Sequence, residues 1–126
     1  MIKDETTPLV IDIAKSFIKL MQEIEPKWNK AYLRFCSQEL VCETKGSYVC
    51  GAEIKIINAL SYKYFFHSIN EKGQELLAFL GKMQGIFLLT IDSNFEYKIV
   101  FEYQNLNRWK ISKLNGGTGI PKSVED

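Results

Sequence analysis

The most regular pattern in the chain is a strict alternation of apolar and polar side chains that begins near residue 95. The apolar positions are Phe95, Tyr97, Ile99, Phe101 and Tyr103. Because successive side chains of a strand point to opposite faces of a sheet, this period of two predicts a strand with one buried and one solvated face. The apolar run 86–91 precedes it, and Asp92-Ser93-Asn94 predicts a turn that joins two antiparallel strands.

A different spacing near the start of the chain predicts a helix over residues 8–25. Apolar side chains recur there every three or four positions, from Leu9 to Ile24. Thr7-Pro8 suits its beginning, since Thr caps free N–H groups and Pro fits the first helical position. Pro26 ends it, because a proline disfavours helical geometry in the residue before it.

A second helix is predicted from the apolar stripe that runs from Leu76 to Met83. We expect Ser68 or Asn70 to cap its N-terminus and Gly85 to cap its C-terminus. Residues 59–67 are rich in aromatic side chains, and their pattern leaves open whether they complete the sheet or form a loop before this helix.

Strands account for the region between the helices. Residues 31–36 and 39–43 predict two strands or a single bent one, and residues 44–47 predict a turn. Residues 48–57 alternate again and predict a further strand, in which Gly51 indicates either a bulge or a close approach of another part of the chain.

The resulting order is α-β-β-β-α-β-β, which predicts an α+β fold. We expect an antiparallel sheet of about five strands with both helices packed on one face. Residues 1–114 form a single domain in this interpretation, and the Gly-rich residues 115–126 form a flexible tail.

The composition excludes some classes of function but does not identify the function of the chain. With 16 Lys and Arg against 15 Asp and Glu in 126 residues, the net charge of +1 excludes a generally basic protein that coats nucleic acid. No stretch approaches the roughly 20 apolar residues that cross a bilayer, and no secretory signal is visible. The three cysteines Cys36, Cys42 and Cys50 form no disulfide framework, so we expect reduced thiols in the cytoplasm.

Motifs that carry catalysis are not evident. His67 is the single histidine, and nothing in the sequence places a particular cysteine beside it. Gly116-Gly117-Thr118-Gly119 lacks the Lys and the helix of a phosphate-binding loop. We therefore expect no enzyme, no catalytic residues, no metal and no cofactor.

Two short stretches combine aromatic and basic side chains, Tyr62-Lys63-Tyr64 and Arg108-Trp109-Lys110. Such residues stack on nucleic acid bases, but Tyr, Trp and Arg also dominate protein interfaces. Packing in the core is a third explanation for Trp109. The sequence leaves these alternatives open.

Three segments carry a family resemblance. They are the helix-to-strand junction 24–33 (IEPKWNKAYL), the hairpin 88–99 (LLTIDSNFEYKI) and the segment 101–104 (FEYQ). Together they resemble the YezG-like immunity proteins, the antitoxins of bacterial polymorphic toxin and contact-dependent inhibition systems. Asn94 stands where that family often has Gly, at a turn that requires a positive φ.

The resemblance implies a cytoplasmic immunity protein that binds a cognate toxin, a nuclease domain in particular, and covers its active or substrate-binding surface. The sequence does not fix the oligomeric state, and we favour a monomer. We expect no direct binding of nucleic acid and no binding to a membrane. Three alternatives remain: a small enzyme with a pocket between helix and sheet, an adaptor or chaperone for a secreted effector, and a nucleic-acid-binding module. The expected partner-binding residues are Tyr62, Tyr64, His67, Glu96, Lys98, Glu102, Tyr103 and Trp109.

Overall fold

The computed structural model describes residues 6–39 and 41–124. Within them the elements follow the predicted order α-β-β-β-α-β-β, and the predicted α+β class is confirmed. The helices are α1 (Thr6–Ile24) and α2 (Lys63–Phe79). The strands are β1 (Lys30–Gln38), β2 (Val41–Cys50), β3 (Glu53–Ile56), β4 (Gly85–Asp92) and β5 (Tyr97–Glu102).

The five strands form one sheet in the order β3-β2-β1-β4-β5, with every neighbouring pair antiparallel. β1 is the central strand, and its Leu33 lies opposite Gly46 on one side and Leu89 on the other. β4 and β5 form the hairpin that the alternating pattern predicts, with Leu89 opposite Ile99.

Both helices pack on one side of this sheet, which we call the helix face. Alternate residues of the strands point to it, among them Ala31, Leu33 and Phe35 of β1. From the helices, the buried side chains include Ile13, Phe17, Leu20 and Met21 of α1 and Phe66, Ile69, Leu76 and Leu77 of α2. Burying each large apolar side chain stabilises the fold by about 1.5–3 kcal/mol, so the helical stripes hold this layer on the sheet.

The opposite side of the sheet, which we call the outer face, is more covered than the sequence predicts. Tyr32, Ile86 and Leu88 point to it and are buried beneath Trp109 and Ile111. These covering residues belong to the segment 103–124, which follows β5 and returns across the sheet. The alternation therefore predicts the two faces of β5 but not the segment that covers its polar side.

The Gly-rich segment that we expected to be flexible lies in this cover as far as residue 124. The Gly119 amide donates to the Ser112 carbonyl at 3.1 Å, and the Lys122 amide donates to the Lys110 carbonyl at 3.0 Å. Ile120 packs partly buried against the outer face. Residues 125–126 of that expected tail lie outside the described residues.

The predicted turn at residues 44–47 is wrong, because β2 runs through it without a break. The chain turns instead near Glu39, at φ 51°, and at Gly51, at φ 60°. The single strand predicted over residues 48–57 is therefore also wrong, because the turn at Gly51 divides it between β2 and β3. Gly46 and Ser47 favour a turn locally, but both residues pair with β1, and Ser47 also pairs with β3. This pairing keeps them in an extended strand.

The second helix also begins and ends earlier than predicted. It starts at Lys63, so the aromatic run supplies its first turn, and Ser68 and Asn70 lie inside it. Gly81, not Gly85, caps its C-terminus: at φ 71° its amide donates to the Ala78 carbonyl at 3.0 Å. The next amide donates back to the Leu77 carbonyl, which completes a Schellman motif.

Candidate functional site

The turn between β4 and β5 is held by one carboxylate. Oδ1 of Asp92 accepts hydrogen bonds from the backbone amides of Asn94, at 2.8 Å, and Glu96, at 3.1 Å. The backbone of Asp92 also bonds to Phe95 and Glu96, at 2.9 and 3.0 Å. Four hydrogen bonds within five residues fix the conformation of this turn.

Phe95 occupies the strained position of the turn, at φ 67°. The resemblance suggested Asn94 for a positive φ, but Phe95 adopts it. The left-handed region costs a residue with a Cβ roughly 1–2 kcal/mol. The side chain is nevertheless 51% exposed, so burial of the ring offsets only part of that cost.

A cavity of about 370 Å³ opens beside this turn and separates it from α1. We call it the α1 groove. Its apolar lining comes from Ile11, Ala14 and Ile18 of the helix and from Phe95 and Tyr97 of the hairpin. Lys15, Lys19 and Gln22 also line it and give it a polar, basic border. Tyr97 is 44% exposed, so two aromatic rings of the groove are open to solvent.

Two of the predicted partner-binding residues line a second cavity, which shares one residue with the groove. Glu96 and Lys98 are exposed and line a smaller cavity of about 220 Å³, together with Tyr97. Tyr97 therefore lines both cavities and joins these charged side chains to the groove.

Three other predicted residues lie at the start of α2 and do not line the groove. Tyr64 is exposed, whereas Tyr62 is half-buried against the core of the helix face. His67 is exposed on the same helix, with its Nε2 2.9 Å from Oε1 of Glu71. None of the three lines the cavity that Glu96 and Lys98 share.

Two further predicted residues, Tyr103 and Trp109, take part in packing. Tyr103 is half-buried on the helix face, where its ring stacks on Phe101. Trp109 is only 4% exposed, beneath the guanidinium of Arg108 at 4.4 Å from the ring centre. Of the explanations that the sequence left open for Trp109, packing is the one that this position fits.

Glu102 anchors the start of the covering segment. Its Oε1 lies 2.8 Å from Nη1 of Arg108, and its Oε2 accepts from the amides of Gln104, at 3.1 Å, and Asn105, at 3.3 Å. The hydrogen bond from Arg108 and those from the two amides lower the pKa of Glu102 to about 2. These bonds indicate that the carboxylate of Glu102 stabilises the fold and is not available to bind a partner.

The alternating pattern predicts that Phe95 faces the core, and this prediction is wrong because the side chain is exposed. Its neighbours carry the signal that could have found it, because an apolar residue directly after Asp92-Ser93-Asn94 stands in the turn, not in the strand. The pairing of β5 begins only at Tyr97.

Metal ligands are not grouped in the part of the chain that the structure describes: no three His, Cys, Asp or Glu side chains there could hold an ion together. The helices over the same residues are too short or too polar to cross a membrane. Comparison with models of known protein families gives no match, and comparison with curated protein sequences gives none of significance.

Proposed function

We propose that this protein is a cytoplasmic bacterial immunity protein that binds a cognate toxin and covers its active or substrate-binding surface. The observation that carries the proposal is the exposed aromatic pair of Phe95, in the hydrogen-bonded turn, and Tyr97, at the start of β5, both of which line the α1 groove. The sequence resemblance supplies the toxin as the kind of partner.

The strain at Phe95 supports binding as the purpose of this turn. A polar residue such as Asn tolerates positive φ better and would leave less apolar surface in water. Keeping a half-exposed ring in that conformation destabilises the free protein and benefits a bound one. Because Asp92 fixes the turn in advance, the ring loses little conformational freedom on binding.

The side chains that line the groove indicate which kind of toxin segment could bind there. Aromatic anchors in pockets carry much of the affinity of protein interfaces, so the segment inserts apolar side chains between Ile18 and Phe95. Lys15 and Lys19 at the border favour carboxylates on either side of those apolar residues. A complex of standard size covers about 800 Å² of each partner, so the groove is the centre of the contact and Glu96 and Lys98 lie toward its edge.

The test begins with the full chain immobilised and exposed to a lysate of its source cells. Bound proteins are washed at high salt and identified by mass. The proposal requires one stoichiometric partner that arrests growth when expressed alone and is neutralised when this chain is expressed with it. A partner that is harmless by itself would contradict the immunity function.

Matched variants then locate the interface. Phe95→Asn with Tyr97→Ser removes the exposed rings, while Met83→Asn removes an exposed apolar side chain at a site outside the groove. We expect the first variant to lose neutralisation and the second to keep it, with both folded by circular dichroism. Loss of neutralisation in Tyr64→Ser, with the groove variant fully active, would instead assign the interface to α2.

A further inference from the structure

A second cavity of about 370 Å³ lies on the outer face, between β1, β2 and the covering segment. It is separate from the α1 groove, and the proposed function makes no use of it. Its charged lining includes Arg34 of β1, Glu43 and Lys45 of β2 and Lys110 of the covering segment. Leu106 and Ile111 supply an apolar wall.

Arg34 is the innermost of these charges, with 6% of its surface exposed. Its Nε donates to the carbonyl of Arg108 at 2.8 Å, and its Nη2 donates to the carbonyl of Leu106 at 2.7 Å. Over residues 6–39 and 41–124, no carboxylate lies within 4.0 Å of the guanidinium. Carbonyl groups satisfy N–H donors without neutralising the charge, and a guanidinium has more donors than two carbonyls accept.

Lys45 aggravates this excess of positive charge. It lies directly opposite Arg34 in the pairing of β1 with β2, and like charges in that position destabilise a sheet. Glu43 compensates only in part, because its carboxylate is 3.8 Å from Nζ of Lys45 and both side chains are more than half exposed. Lys110 adds a third cation to the lining.

The thiol of Cys36 does not offset the excess of positive charge around Arg34. Cys36 is two residues further along β1 and shares the outer face. Burial raises the pKa of this thiol, so it stays neutral near pH 7. The cavity therefore holds three cations against one carboxylate, an excess of two positive charges.

We propose that this cavity binds a phosphate group, as the free ion or as the monoester of a small molecule. A phosphate monoester carries about −1.5 to −2 charges at pH 7, which matches the excess. Arg34, Lys45 and Lys110 all line this cavity, and its volume is one that small ligands occupy. In a monoester, the organic group lies against Leu106 and Ile111.

The test is a titration of the ¹⁵N-labelled full chain, followed by amide chemical shifts. The probes are inorganic phosphate and phenyl phosphate, in separate experiments at constant ionic strength and pH 7. We expect saturable shifts concentrated on residues 34–36, 43–45 and 106–112. Tighter binding of phenyl phosphate identifies the site as one for a monoester, and equal binding identifies it as one for the free ion.

The lysines provide matched variants that leave Arg34 and its loop contacts in place. Lys45→Gln and Lys110→Gln each remove one cation, and we expect each to weaken binding about tenfold. Lys55→Gln is the control, because Lys55 is also an exposed strand lysine paired with a glutamate two positions before it. It lies opposite Tyr48 and so points to the other side of the sheet.

Shifts that do not saturate, or that are scattered over the surface, would overturn the proposal. An equal loss of affinity in Lys45→Gln and Lys55→Gln would overturn it as well, because it would show that net charge alone attracts the anion.

Discussion

Gly73 of α2 faces the ring of Phe35 of β1 so closely that a Cβ at position 73 would lie 2.6 Å from a ring carbon. The ring has no room to retreat, because it is fully buried and stacks on Phe87 at a centroid distance of 5.2 Å. Glycine in the middle of a helix is about 1 kcal/mol less favourable than alanine. Here that cost allows α2 to lie directly on the central strand.

Gly73→Ala should therefore destabilise the protein, although alanine is the better helix former. We expect the free energy of unfolding in urea to fall by about 1–3 kcal/mol, the usual range for overpacking a core. The double variant Phe35→Leu with Gly73→Ala is the control, since the smaller side chain relieves the clash. Its total loss should be less than the sum of the two single losses. A gain in stability for Gly73→Ala would contradict the close contact.

Features that depend on neighbouring residues could be predicted from the sequence. The spacing from Leu9 to Ile24 predicted α1, and the alternation from Phe95 to Tyr103 predicted the hairpin of β4 and β5, because each pattern reports which face of its own element is buried. The reason for Gly73 could not be found in this way. It depends on Phe35, which is 38 positions away in the chain and contacts Gly73 only through the tertiary structure.

The same distinction applies to the candidate site: positions that depend on neighbouring residues could be predicted, and those that depend on distant segments could not. Glu96 and Lys98 were predicted as exposed positions of a strand, and both are exposed and line the smaller cavity that shares Tyr97 with the groove. Trp109 was predicted as a partner contact or a core residue, and only the path of residues 103–124 decides which. That segment has no regular period, so the sequence contained no pattern that showed it crossing the outer face. The eight predicted residues consequently lie on separate parts of the molecule.

The covering segment should contribute to stability through Trp109. Trp109→Ala removes a nearly fully buried ring that packs on the apolar residues of the outer face, and we expect a loss of about 3–5 kcal/mol. Tyr64→Ala removes an aromatic side chain that is 82% exposed and should change stability by less than about 0.5 kcal/mol. Urea unfolding of both variants checks the difference. Equal effects would mean that the segment does not pack on the sheet in solution.

Cys36 and Cys42 should not form a disulfide with each other. Although both lie in the hairpin of β1 and β2, Cys36 points to the outer face, whereas Cys42 points to the helix face, where its Sγ is 3.5 Å from Oγ of Ser37. After mild oxidation, we expect mass spectrometry of unreduced peptides to find no link between residues 36 and 42.

Ser37→Cys provides the matched comparison. Ser37 lies directly opposite Cys42 on the same face, so a cysteine there should form a disulfide with Cys42 under the same oxidation. A link between Cys36 and Cys42 in the unmodified protein would contradict the register of β1 and β2.

The bonds of Glu102 predict how stability depends on pH. Its pKa of about 2 lies below the ordinary value of 4.5, so between these two values the unfolded chain binds more protons than the folded one. The stabilisation from Glu102 is therefore present above about pH 4.5 and is lost as the pH falls toward 2. Thermal melts of the unmodified protein and Glu102→Gln should differ clearly at pH 7 and converge toward pH 2. Glu96→Gln, which changes an exposed carboxylate in the turn, should show no comparable convergence. A constant difference for Glu102→Gln from pH 7 to pH 2 would mean that its carboxylate does not hold Arg108 and the two amides through its charge.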